Sequence, residues 1–283
     1  MLLIFLLPAL LYVTAWRIIP ALYTAYLSFT AYNLAYDPSL DWVGFANYAR
    51  LARESGLLSS FTVTMEFTII VTAVELGLGL LAALLFNRDM PMRNLVLGVF
   101  LIPIVLPPVV VGTIWYILFN QFVGPIPYLL QLAHGPDIPW LTTPGTALFG
   151  LVVSDVWEWT PLMALLLLSG LQAIPNDMVE AAMVDGASGF KLFRFITLPQ
   201  IAAMMAVAVG LRFMDAFREL DKVIIMTGGG PGTATDFLSM HIYRAAFKFF
   251  TLGYAAAIVV TALAFLGVIY ALYFRALRGP ATT

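Results

Sequence analysis

Apolar residues fall into six long runs along this chain, and the polar residues collect in the gaps between them. A membrane span needs about 20 mostly apolar residues. The runs that meet this are Leu2–Phe29, Phe61–Phe86, Leu95–Phe119, Ala147–Leu171, Ile201–Met226 and Tyr254–Phe274. The gaps carry turn formers: "YDPSLDWVG", "NRDMPMR", "AHGPDIPWLTTPG", "IPND" and "TGGGPGTATD". The pattern predicts one all-α integral membrane domain over residues 1–283, with six transmembrane helices and a loop at 174–200. Prolines interrupt several runs, and "LIPIVLPPVVVG" is expected to form a kinked helix packed within a bundle.

Composition points the same way. Hydrophobic residues make up 61% and charged residues 11%, against about 25% charged in a soluble domain. Such a chain lacks the polar skin to dissolve, so the lipid bilayer is its natural partner. Zero cysteines exclude disulfides and thiolate sites. His134 and His241 lie far apart, with no metal-ligand spacing, so no metal is expected. The fourteen Lys and Arg residues are scattered, which leaves no basic patch for nucleic acid. No G-x4-G-K-[ST] occurs, and no lysine follows the glycines of "TGGGPG", so ATP hydrolysis is not expected in this chain, nor is any cofactor.

The first run has neither a basic leader nor a small-residue cleavage site, so an uncleaved helix is expected. Arg88, Arg93, Lys191, Arg194, Arg275 and Arg278 lie on one side of the predicted spans, and Arg50, Arg53, Arg244 and Lys248 on the other. This bias places both termini and the 174–200 loop in the cytoplasm.

That loop holds "EAAMVDGASGFKLFRFITLP", Glu180 to Pro199. Asn176 or Asp177 can cap a short helix, "DMVEAAMVD". The small Ala181 and Ala182 allow another surface to approach closely, and Gly186 suits a left-handed helix end. In "FKLFRFITLP", Phe190, Phe193 and Ile196 step by three and predict an apolar stripe opposite Lys191 and Arg194. An interfacial helix would look similar. The acidic face of Glu180 and Asp185 instead suits a protein partner with basic residues.

The stretch resembles the EAA loop of permease subunits in ABC importers, whose pattern is E-A-A-x3-G-x9-I-x-L-P. Glu180, Ala181, Ala182, Gly186, Ile196, Leu198 and Pro199 match each fixed position. "FLLPALLYVTAWRIIPALYTAYLSFTAYN" and "TGGGPGTATDFLSMHIYRAAF" are similar to the ends of the carbohydrate-uptake branch, although Arg17 stands where that branch has an apolar residue or tyrosine. The resemblance implies a type I ABC importer permease fold in a prokaryotic inner or plasma membrane. It also implies docking of the loop, with Asp185 beside Gly186, on an ATP-binding subunit dimer. A second permease subunit, an external solute-binding protein and a sugar-like solute complete the implied set of partners.

Charges at membrane depth supply the candidate path. Arg212, Asp215, Glu219 and Lys222 step by three, four and three, with Arg218 and Asp221 beside them. They read either as an internal ion-pair ladder or as a polar wall for a sugar. Asp155 and Glu158 flank Trp157, where rings and carboxylates suit a sugar as well as an interfacial belt. Glu66 and Glu75 in the second run carry less information. A self-sufficient transporter driven by an ion gradient would use the same charges as a relay, but it has no reason to own the loop.

Overall fold

The computed structural model describes residues 2–277. In chain order its helices are α1 (Leu2–Val13), α2 (Ile19–Leu27), α3 (Ala46–Leu51), α4 (Ser55–Phe86), α5 (Arg93–Phe100), α6 (Ile102–Val105), α7 (Pro108–Leu118) and α8 (Pro125–Leu132). There follow α9 (Pro144–Gln172), α10 (Asn176–Val184), α11 (Phe190–Leu192), α12 (Leu198–Phe217), α13 (Asp221–Met226), α14 (Leu238–Tyr243) and α15 (Leu252–Leu277). Short π-helical segments join α1 to α2, join α11 to α12, and follow α14. No strand occurs among the described residues. Four helical stretches among the described residues are long and apolar enough to cross a membrane: Ser55–Phe86, Pro144–Gln172, Phe190–Phe217 and Leu252–Arg275. The first predicted span is helical from Leu2 to Leu27 across its π segment. Arg278, which contributed to the charge bias, lies outside the described residues.

Two of the expected spans are interrupted. The run expected as one kinked helix over 95–119 is three helices, because Leu106 and Pro107 adopt extended backbone with ψ near 138° and 140°. Consecutive prolines explain this: each residue before a proline is pushed out of the helical region, and Pro108 then opens α7. The run expected over 201–226 stops at Phe217 and restarts at Asp221. No proline or glycine marks that break; side chains hold it. Arg218 Nε donates to the Met214 carbonyl at the end of α12, and Glu219 Oε1 accepts the Lys222 amide at the start of α13, 3.0 Å away.

The chain divides into two compact units. One takes the chain up to Ser59 and again from Leu238. In it, α15 packs on α2 and α3. The approach is close enough that a Cβ on Gly253 would sit 2.1 Å from the Thr30 carbonyl oxygen. Asn47 Nδ2 donates to the Ser28 and Thr30 carbonyls at 2.9 and 2.8 Å, which fixes the turn that Gly253 meets. The second unit runs from Ser60 to Phe237. Its core joins α4, α9 and α12 through Ala83, Phe86, Met163, Leu167, Leu171 and Ile201. The same three helices carry the buried Glu75, Asp155, Glu158 and Arg212.

Candidate functional site

Arg212 lies near the C-terminal end of α12, and its side chain is 3% exposed. Its Nε donates to Glu75 Oε2 at 2.6 Å and its Nη2 to Glu75 Oε1 at 3.1 Å, a forked contact with α4. Nη2 also bonds Asp155 of α9. The guanidinium stands 5.0 Å from the centre of the Trp159 ring. Lys222, in α13, is fully buried, and its Nζ donates to Asp155 Oδ1 and Glu158 Oε2, each at 2.6 Å. Glu219 reaches the same ammonium at 3.0 Å. Four helices are thus tied by one cluster of charges.

Sequence steps of three and four placed Arg212, Asp215, Glu219 and Lys222 on one helical face. The structure brings Arg212, Glu219 and Lys222 into one cluster and leaves Asp215 outside it, although Asp215 shares the unbroken part of α12 with Arg212. Asp215 turns outward and accepts from Arg218 Nη2 at 2.6 Å, with side chains 39% and 60% exposed. Asp155 and Glu158, expected beside Trp157 on a possible sugar surface, point into the cluster instead, while Trp157 is 39% exposed. In the α9 helix a two-residue step turns by about 200°, so residues two apart take opposite sides. Glu75 carried little weight in the sequence, yet it supplies the fork for Arg212. The available signal was a carboxylate within an apolar helix, which requires a counter-charge.

Trp157 faces a cavity of about 530 Å³, together with Leu78, Ile102, Pro103 and Thr160. The Thr160 hydroxyl is buried there without a hydrogen-bond partner. Pro161 has no amide to donate to the Trp157 carbonyl, so a second polar group lies beside it. Among the described residues no group of His, Asp and Glu is arranged to hold a metal ion.

The 174–200 loop forms a second surface. The expected side-chain cap from Asn176 or Asp177 is absent: Pro175 is the N-cap and makes no side-chain bond. The C-terminal end closes as expected. Gly186 has φ +83°, its amide donates to Met183 O at 3.0 Å, and the Ala187 amide donates to Ala182 O at 2.9 Å. This is the Schellman closure, which needs a left-handed residue at Gly186. Glu180, Ala181, Met183, Val184 and Asp185 are exposed, whereas Ala182 is buried. The predicted stripe of Phe190, Phe193 and Ile196 is altered. Phe190 is 76% exposed, and Leu192, Phe193, Ile196 and Thr197 are half-buried instead. The π turn over Phe193–Thr197 widens the helical repeat and resets which residues share a face. Leu198 is half-buried and Pro199 exposed, at the start of α12.

Residues 75–278 match the family described as the inner membrane component of binding-protein-dependent transport systems. The chain belongs to this family. It is the membrane permease subunit of an ATP-driven importer, and the rival reading as a self-sufficient ion-driven transporter has no support. The permease is 37% identical over 247 residues to the trehalose/maltose transport system permease protein MalF of Thermococcus litoralis, covering 87% of this chain and 82% of that one. It is 33% identical over 253 residues to the trehalose transport system permease protein SugA of Mycobacterium tuberculosis, covering 89% and 80%. A solved bacterial alginate ABC transporter, in complex with an alginate pentasaccharide-bound periplasmic protein, contains a chain that superposes on the permease with a TM-score of 0.87. That match covers 100% of this chain and 95% of the other at 20% identity, a likeness of fold. The permease therefore has the type I ABC importer fold, all-α and membrane-embedded.

Proposed function

We propose that the permease forms the translocation path for a sugar or related polyhydroxylated solute. A disaccharide, oligosaccharide, polyol or glycerol-3-phosphate would fit this class. The observation that carries the reading is the extended similarity to permeases named for trehalose and maltose, over more than four-fifths of this chain in each case. Its working partners are a second permease, an ATP-binding subunit dimer and an external solute-binding protein. ATP is hydrolysed in the ATP-binding subunits.

The 174–200 loop lies in the cytoplasm, as do both termini, and docks on the ATP-binding subunit. Its exposed Glu180 and Asp185 and its Schellman closure at Gly186 support that role. Closure of the ATP-binding dimer then pushes the loop and rocks the attached helices. Along the path, Trp157 and the Asp215–Arg218 pair are the candidates with exposed surface. An indole ring stacks on the C–H face of a sugar, while a carboxylate and a guanidinium exchange hydrogen bonds with hydroxyls. Arg212, Lys222, Asp155 and Glu158 hold the helices that carry this surface.

The test is reconstitution of the complex with its binding protein in liposomes, followed by ATP-dependent uptake of radiolabelled trehalose, maltose and glycerol-3-phosphate. ATP-dependent accumulation of at least one of these is expected. A complex whose ATP hydrolysis and uptake respond to amino acids or inorganic ions, and to no polyhydroxylated solute, overturns the proposal.

A further inference from the structure

Arg17 is a cation whose own unit offers it no counter-charge. It lies in the π turn Thr14–Ile18, where the Ile19 amide reaches back to the Thr14 carbonyl just ahead of Pro20. Single π turns within helices often mark functional positions. The helices α1, α2 and α15 of this unit contain no Asp or Glu. Its three acids lie in the segment between α2 and α4, and each is engaged there. Asp37 accepts from the Ser39 amide, Asp41 from the Ser39 hydroxyl, and Glu54 from Tyr254 and His241.

The packing of α15 sets the depth of Arg17. The Gly253 amide donates to the Tyr32 carbonyl at 3.0 Å, and Gly253 also abuts the Thr30 carbonyl, so this turn is level with the start of α15. Beyond the turn α2 packs on α15, and the helix continues through Arg17. At about 1.5 Å per residue, Thr30 to Arg17 covers about 20 Å and the membrane-length stretch Leu252–Arg275 about 36 Å. Arg17 therefore sits near the middle of the span. Snorkelling to the headgroups serves arginines near helix ends, not one at this depth.

Every residue from Leu11 to Tyr23 is exposed, so the chain itself buries none of this stretch. Leu11, Trp16 and Leu22 are 60%, 70% and 65% exposed. Lipid tails would satisfy these apolar side chains but leave the guanidinium unpaired at a depth where charge is costly. A neighbouring membrane helix that carries a carboxylate covers both. We infer that Arg17 anchors an interface with the second permease, which presents an Asp or Glu carboxylate to it at mid-membrane depth. The inference rests on the partner set proposed above. A guanidinium offers that carboxylate two parallel N–H donors, so the pair sets which helix faces which and at what height.

Co-purification from membranes holding the full transporter tests this, with this chain tagged and the second permease measured against it. Arg17→Leu strands the partner's carboxylate, and recovery of the second permease should fall about tenfold or more. The membrane level of this chain should not change, because leucine suits an exposed position in an apolar helix. Arg17→Lys keeps the charge and should retain most of the assembly. In the Arg17→Leu background, each membrane-helix Asp and Glu of the second permease is changed in turn to Asn or Gln. One of these changes is expected to restore assembly. Wild-type recovery with Arg17→Leu overturns the inference and leaves the partner set standing, whether uptake by that complex is kept or lost. Failure of every second-permease change to restore assembly, or restoration by Glu66→Gln in this chain, also overturns it. A wild-type chain that brings down no second permease overturns the partner set, and the inference with it.

Discussion

At Arg212, removing one side chain leaves others stranded. Arg212→Gln takes away both the fork on Glu75 and one of the two cations on Asp155. Breaking a buried pair in this way typically costs about 3–5 kcal/mol. Thermal unfolding of the detergent-solubilised complex should show a lowered Tm, checked by fluorescence-detected size exclusion after heating. Asp215→Asn is the contrasting case. Its partner is Arg218 in a pair 39% and 60% exposed, so the loss is expected below about 1 kcal/mol. Unchanged Tm with reduced or re-ranked solute uptake supports a place for Asp215 on the path, whereas unchanged uptake of every solute removes it. A third residue, Gly186, acts through its backbone. At φ +83° a side chain is strained, so Gly186→Val should unseat the Schellman turn and uncouple uptake from ATP hydrolysis at normal membrane level.

At the scale of elements, two glycines of α15 should respond in opposite ways. Gly253 lies against the turn at Thr30, where a Cβ would come within 2.1 Å of the backbone carbonyl oxygen. Gly253→Ala must push α15 away from that turn, and overpacking of this kind costs about 1–3 kcal/mol. Gly267 has nothing within 4 Å of its would-be Cβ. Gly267→Ala should be neutral or stabilising by about 0.5–1 kcal/mol, since alanine suits a helix interior better. Thermal melts of the two variants side by side check both signs. The break between α12 and α13 has a different origin from that at Leu106–Pro107. The proline pair was visible in the sequence as a helix breaker, although a kink was expected where the chain is extended. The break at Arg218–Leu220 has no breaker residue, and depends on Arg218 and Glu219 bonding backbone groups at the two helix ends. Such capping is readable only once the ends are known.

For the molecule as a whole, permease membership predicts dependence on partners. The chain expressed alone and reconstituted in liposomes should show neither ATP hydrolysis nor solute flux, measured by phosphate release and tracer uptake. Activity should appear on adding the ATP-binding subunits, the second permease and the binding protein. Flux by the purified single chain under a proton or sodium gradient would contradict that dependence.

Sequence alone determined the solvent of this protein, its helical class and its family, because each rests on properties that survive without three-dimensional detail. Long apolar runs require a bilayer, backbone groups in lipid must be satisfied within helices or closed barrels, and the Glu180-to-Pro199 spacing is a one-dimensional pattern. The left-handed turn at Gly186 was equally local and was legible in advance. Tertiary structure alone decided which charges face each other. Glu75, Asp155 and Arg212 are separated by tens of residues and meet only because α4, α9 and α12 share a core. The helical ladder carried one face from Arg212 through to Lys222 by assuming an unbroken repeat, and the stripe at Phe190 assumed a regular one. Both assumptions fail where backbone geometry departs from 3.6 residues per turn, at the Arg218 break and at the π turn. Periodicity assigns residues to faces only while the helix that carries it continues, and long-range charge pairing has no period to read.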